Sequence, residues 1–222
     1  MTEYVRPEVD IPIFLAADGT PIPYGHRWGQ SVDGDWTPEA PDSAYSVATH
    51  PERFAPIVTV ANALIEHVAS AYDVTVDADA PVPAWMLDRD SDADQKVVRA
   101  VVITPKDPQC SPLTLVETRY PSVELHAGVQ AFEPFPACGC DACDDDLFGL
   151  FESLEHHVLA VVKGNLVEQL TWRGLFTQWT FPDGSSSSTM PRRQVSREHI
   201  AQLRKLRRTH PDCWQPWPLR SA

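Results

Sequence analysis

Hydrophobic positions along the chain fall into helical stripes and short alternating runs. Phe54, Ile57, Val58, Ala61, Leu64, Ile65, Val68 and Tyr72 recur at helical spacing and predict an amphipathic helix. Thr49-His50-Pro51-Glu52, just ahead of it, has the spacing of a capping box. Leu147, Phe148, Leu150, Phe151, Leu154, Val158, Val161 and Val162 predict a second helix, with Gly164 as its C-cap. Ile200, Leu203 and Leu206 give a weaker stripe over residues 196–208.

The strand pattern lies between and around these helices. Residues 74–76, 97–103, 113–119 and 123–129 read as strands. In the last, Val123, Leu125, Ala127 and Val129 share one face, and Glu124, His126 and Gly128 share the other. Residues 166–172 and 175–181 flank Arg173-Gly174 and predict a hairpin. Asp18-Gly19 marks another turn, between runs whose prolines restrict them to an edge. Trp28 and Trp36 are expected to pin the irregular loop from 29 to 46. Residues 77–94 read as an acidic connection with room for one helical turn, and Ser185–Ser188 as a flexible polar run. Strands cluster instead of alternating with helices. This pattern predicts an α+β fold, a mainly antiparallel sheet flanked by two to three helices, with an irregular Pro/Gly-rich N-terminal region. Residues 1–190 then form a single domain, with 1–50 packed on it, and 191–222 a basic helix or tail.

Charge changes this picture in one respect. The chain has 222 residues and a net charge of −13. Residues 1–190 carry −19, and residues 191–222 carry +6. The acidic body disfavours nucleic acid as a partner, because phosphate neutralisation needs a basic face. A protein partner meeting the acidic body or the basic tail fits better. The tail's Arg192, Arg193, Arg197, Arg204, Lys205, Arg207 and Arg208 otherwise lie on the protein's own acids or in solvent. No apolar run approaches a membrane span, and the N-terminus lacks the pattern of a signal peptide, so a cytoplasmic location is expected.

The pointed chemistry is in the cysteines. Cys138, Cys140 and Cys143 fall within six residues, in Cys138-Gly139-Cys140-Asp141-Ala142-Cys143. In a reducing compartment a C-x-C-x-x-C array points to a soft cation more than to disulfides. Zinc in a structural site takes four ligands, which leaves one to find. His126, on the polar face of the strand before the cluster, is the leading choice if a turn through residues 132–136 brings it back. Cys110, Cys213, His50 and Asp141 are fallbacks. Two other readings stand beside zinc. The cysteines can be reduced and metal-free, or Cys140 and Cys143 can form a redox pair beside a helix N-terminus. Asp141, Asp144, Asp145 and Asp146 crowd the thiols in this reading, and a cation offsets their repulsion. His156-His157 diverge on one helix and do not share a metal readily. Hydrolase, P-loop and dinucleotide-binding motifs are absent, so no catalytic residue is singled out.

Three strings carry a family resemblance: Tyr24-Gly25-His26-Arg27-Trp28, residues 44–56 from Ala44 to Pro56, and Cys138 to Asp144. Together they resemble uncharacterised actinobacterial proteins with a domain of unknown function and a C-G-C-D-A-C motif. The resemblance covers residues 20–185 and leaves the basic tail outside. It implies His126 and Gly128 as companions of the motif and supports His126 as a zinc ligand. It implies no activity. The reading is a zinc-stabilised binding or regulatory domain; a metal- or thiol-dependent enzyme is the alternative. Four protein ligands and no cleft favour the first, whereas a coordinated water and a cleft beside the cluster favour the second.

Overall fold

The computed structural model describes residues 3–29, 31–32, 35–36, 38–81, 96–209 and 214–221. The helical turn expected within 77–94 falls largely outside the described residues, as do Cys213 and the side chains of Trp36, Leu206, Arg207 and Arg208.

The fold is α+β; the described residues form two larger antiparallel sheets, a separate two-stranded hairpin and three α-helices. A small hairpin pairs β1 (Ser31–Val32) with β2 (Asp35–Trp36). The main sheet runs in sequence order: β3 (Val74–Asp77), β4 (Val97–Pro105), β5 (Leu113–Thr118), β6 (Val123–Ala127) and β7 (Ala131–Phe135). The second sheet pairs β8 (Leu166–Leu170) with β9 (Gly174–Phe181) and β9 with β10 (Gly184–Pro191). The helices are α1 (Pro56–Ala71), α2 (Leu147–Val162) and α3 (Arg197–Thr209).

One apolar layer joins these elements. Ile57, Val60, Leu64 and Val68 of α1 and Phe151, Leu154 and Val158 of α2 pack on Val101, Ile103, Leu113, Leu115, Val123 and Leu125. Burial alternates along β6 as its sequence pattern requires: Val123, Leu125 and Ala127 point inward. Pro51–Ala71 is long and apolar enough to cross a membrane by composition, yet the α1 side chains just named are wholly buried against the sheet. His157 of α2 faces the core, between Phe135, Trp179 and Phe181.

Four local expectations are corrected. The capping box does not form. Residues 51–54 make a 3-10 turn and α1 starts at Pro56, because the Pro56 nitrogen cannot donate back to Glu52. The Asp18-Gly19 hairpin shrinks to one bridge, Leu15 with Pro21, since the flanking prolines remove ladder donors. Residues 132–135 belong to a strand, β7, and are not a returning turn. Ser185–Ser188 is the middle of β10, held by pairing with Thr177–Thr180 even though its side chains are exposed.

The end of the chain returns to the main core. The buried Trp217 donates from Nε1 to the Ser111 carbonyl at 2.9 Å, and Arg220 N donates to the Ala71 carbonyl at 3.0 Å. Trp214 donates from Nε1 to Glu168 at 3.0 Å. The Glu168 carboxylate also accepts the backbone N–H groups of Val129, Gln130 and Ala131, which closes the β6–β7 turn. Gly128 opens that turn at φ +59; a Cβ there would fall 2.1 Å from Glu168 Oε2.

Candidate metal centre

The three local cysteines meet. One sulfur from each of Cys138, Cys140 and Cys143 lies within 4.8 Å of the others, and Cys140 Sγ is 3.4 Å from Cys143 Sγ. Zn–S bonds near 2.3 Å in a tetrahedron place sulfurs ~3.8 Å apart, so small adjustments suffice to hold such an ion. Gly139 makes the bend at φ +77, and a Cβ there would lie 2.3 Å from the Tyr120 hydroxyl. That hydroxyl donates to the Gly139 carbonyl at 2.9 Å. Burial alone would raise the Cys140 thiol. Hydrogen bonds involving the Cys143 and Ser46 backbones and the Cys138 and Cys143 side chains outweigh this and bring it down to about 7. Cys143 moves the other way, to about 12, through its hydrogen bond to Cys140 and then burial. One thiolate is therefore stabilised at the expense of its neighbour, and a bound cation would stabilise both.

A clamp built from distant sequence holds this loop. Arg27 donates from its backbone N to Asp144 Oδ2 at 2.7 Å and from Nε to Oδ1 at 2.5 Å. Arg27 Nη2 and Trp28 Nε1 both donate to the Asp141 carbonyl, at 2.7 and 2.9 Å. Asp141 N donates to the Val47 carbonyl, and Ala142 N to that of Ala44. The Thr49 hydroxyl, freed from the cap, donates to Asp141 Oδ2. Arg53 is buried, with Nη1 3.7 Å from Asp141 Oδ1 and its guanidinium carbon 4.0 Å from the Tyr24 ring centroid. Arg27 stacks on the same ring at 4.3 Å. The three strings that carry the family resemblance thus converge on one loop.

This arrangement revises the role of the acids. Asp141 and Asp144 face Arg27, Arg53 and backbone donors, and Asp146 caps α2 by accepting from Gly149 N at 2.7 Å. They no longer argue for a cation by crowding the thiols. That argument rests on the sulfurs themselves.

The structure does not bring His126 into the sulfur group. It pairs with Phe132 across β6 and β7, its ring 4.8 Å from that of Phe132 and its Nε2 3.3 Å from Glu124 Oε2. The reason is register. β7 leaves the sheet toward the cysteines at Phe135, opposite Val123. Residue 126 is therefore three pairs back along the strand, roughly 10 Å at about 3.3 Å per residue. Glu124, opposite Pro134, is nearer. The fallback ligands among the described residues are engaged elsewhere: Cys110 Sγ donates to the Pro216 carbonyl at 3.2 Å, His50 Nδ1 meets the Tyr24 hydroxyl at 2.6 Å, and Asp141 is in the clamp.

A cleft of about 360 Å³ opens beside the loop. Cys138, Cys140, Glu124, Tyr120, Thr118 and Ser122 contribute its polar wall. Sequence reasoning missed Glu124, Arg27 and Arg53. Their side-chain types are ordinary, and only the β6–β7 register and the long-range clamp give them positions.

Fold and site together define an α+β protein with a cysteine cluster able to hold a metal ion. The chain belongs to the family of unknown function DUF6226, which matches residues 10–221. No curated protein and no solved structure matches it. The match runs past residues 20–185 on both sides, so the basic segment lies inside the family's extent and not outside it.

Proposed function

We propose that this protein is a zinc-binding domain in which Cys138, Cys140 and Cys143 hold the ion as thiolates. The grouping of the three sulfurs carries this reading. Thiolates select soft or borderline cations, and zinc is the member of that set most used in closed protein sites. The ion ties the strand β7 to the start of α2, and through the Arg27–Asp144 clamp it also tethers the N-terminal arm. The four described cysteines are free thiols, in keeping with a reducing, cytoplasmic setting.

The cleft favours a second reading. Three protein sulfurs beside an open wall leave a coordination position for a water or a substrate atom, as in a metal-dependent enzyme. In that case Glu124, which lines the same cleft as Cys138 and Cys140, would serve as an acid–base group beside the metal.

Cobalt(II) substitution tests both readings. The first predicts intense thiolate-to-cobalt charge-transfer absorption, lost in Cys140→Ser. The weak spectrum of hydrated cobalt in the unaltered protein would overturn it. Added azide separates the two: shifted d–d bands indicate an exchangeable position, and unchanged bands a closed shell.

A further inference from the structure

The second sheet carries a surface unlike the rest of this acidic chain. The β8–β9 turn presents Trp172, 81% exposed, at its tip. Arg173 follows, with its guanidinium carbon 4.8 Å from the Trp172 ring centroid. The turn is stiff. Thr171 N donates to the Gly174 carbonyl at 2.7 Å, and the Thr171 hydroxyl donates to the same oxygen at 2.9 Å. A Cβ at Gly174 would lie 1.9 Å from the Met190 carbonyl, so the turn sits tightly on the end of β10. The chain leaving β10 adds more charge. Arg192 N donates to the Arg173 carbonyl at 3.2 Å, and Arg192 Nη1 reaches the Thr171 carbonyl at 3.4 Å. Arg193 is next and is exposed.

Among the described residues no carboxylate pairs with Arg173, Arg192 or Arg193. The chain carries 31 Asp and Glu residues, so this is an isolated positive surface on a negative protein. The basic segment begins here, and its first two arginines, Arg192 and Arg193, form no ion pair with the protein's own acids among the described residues.

We propose that Trp172, Arg173, Arg192 and Arg193 form a docking site for a short acidic segment of a partner protein. An apolar side chain of the partner covers the Trp172 ring, and carboxylates on either side meet the three guanidinium groups. A rigid exposed tryptophan flanked by arginines is the usual composition of a binding hot spot, and a prearranged turn keeps the entropic cost of docking low. Charge complementarity also selects the length of the occupant. A nucleic acid continues past the arginines over a body of −19, which repels phosphates. A short acidic peptide ends where the positive surface ends. One tryptophan gives too little apolar area to hold a lipid surface without further anchors.

The test is fluorescence anisotropy with the full chain and a labelled Asp/Glu-rich peptide containing one central phenylalanine. The same peptide with Lys for the acids, an oligothymidylate and phosphatidylserine vesicles are the comparison probes. The proposal expects saturable binding of the acidic peptide, weakened as salt rises. Trp172→Ala and the pair Arg173→Glu/Arg192→Glu should each weaken it about tenfold or more. Circular dichroism on both variants should be unchanged, because these side chains are exposed. The proposal is overturned if the acidic peptide binds no better than the Lys peptide. It is also overturned if oligothymidylate or vesicles bind as tightly, or if folded variants keep full affinity.

Discussion

Arginine plays two opposite parts in this molecule. Arg27 and Arg53 are drawn into the cysteine loop, where they meet Asp141 and Asp144 and stack on Tyr24. Arg173, Arg192 and Arg193 stand in solvent on the second sheet and pair with no carboxylate among the described residues. The same side chain is a strut in one region and a contact in the other. Buried ion pairs become costly when one partner is removed, whereas exposed charges contribute little to folding. The two regions therefore answer to different measurements: stability for the clamp, binding for the patch.

The largest contrast comes from metal removal. If the thiolates hold zinc, chelation should lower the melting temperature sharply, because structural zinc contributes on the order of 10 kcal/mol of apparent binding free energy in small sites. An unchanged melting curve would count against the clamp and the metal acting as one unit. Next comes Asp144→Ala, which strands the Arg27 guanidinium and backbone N–H; chemical denaturation should show a loss of about 3 kcal/mol. Glu168→Leu should cost about 2 kcal/mol by the same assay, since four N–H donors lose their acceptor.

Acid gives a more gradual effect. Burial lowers the affinity of His157 for a proton, and its Nδ1 lies 2.7 Å from the Ser153 carbonyl. Below the ordinary histidine value near 6.5 the unfolded chain binds a proton that the fold excludes. The stability from this group is whole above that pH and declines as pH falls toward the depressed native value. Denaturation at neutral pH and near pH 5.5 should show a decline that His157→Phe reduces. The smallest effect belongs to the patch: Arg193→Ala should shift stability by no more than about 0.5 kcal/mol. A larger shift would mean that the exposed arginines are struts after all.

Much of this architecture is readable from local pattern. The periodicity of residues 57–68 and 147–162 predicts helices α1 and α2, and the alternation of residues 123–127 sets the buried face of β6. The approach of three sulfurs follows from C-x-C-x-x-C and one glycine, because the spacing is short enough to dominate. What local pattern misses depends on distant partners. Thr49 has the sequence of a cap, yet tertiary contact assigns its hydroxyl to Asp141. β7 contains Pro134 and an acid, and β10 four serines, so neither has a strand's composition; pairing with a stronger neighbour makes each one. Placing Glu124 nearer the cysteines than His126 requires a register that only the β6–β7 pairing reveals. Arg27 and Arg53 carry no local mark of the loop they hold.

Native mass spectrometry of protein purified without added metal tests the central claim most directly, with Cys140→Ser as its partner sample. The account predicts close to one zinc per chain in the unaltered protein and a clear loss in the variant. Apo protein throughout, or equal zinc in both samples, would contradict it.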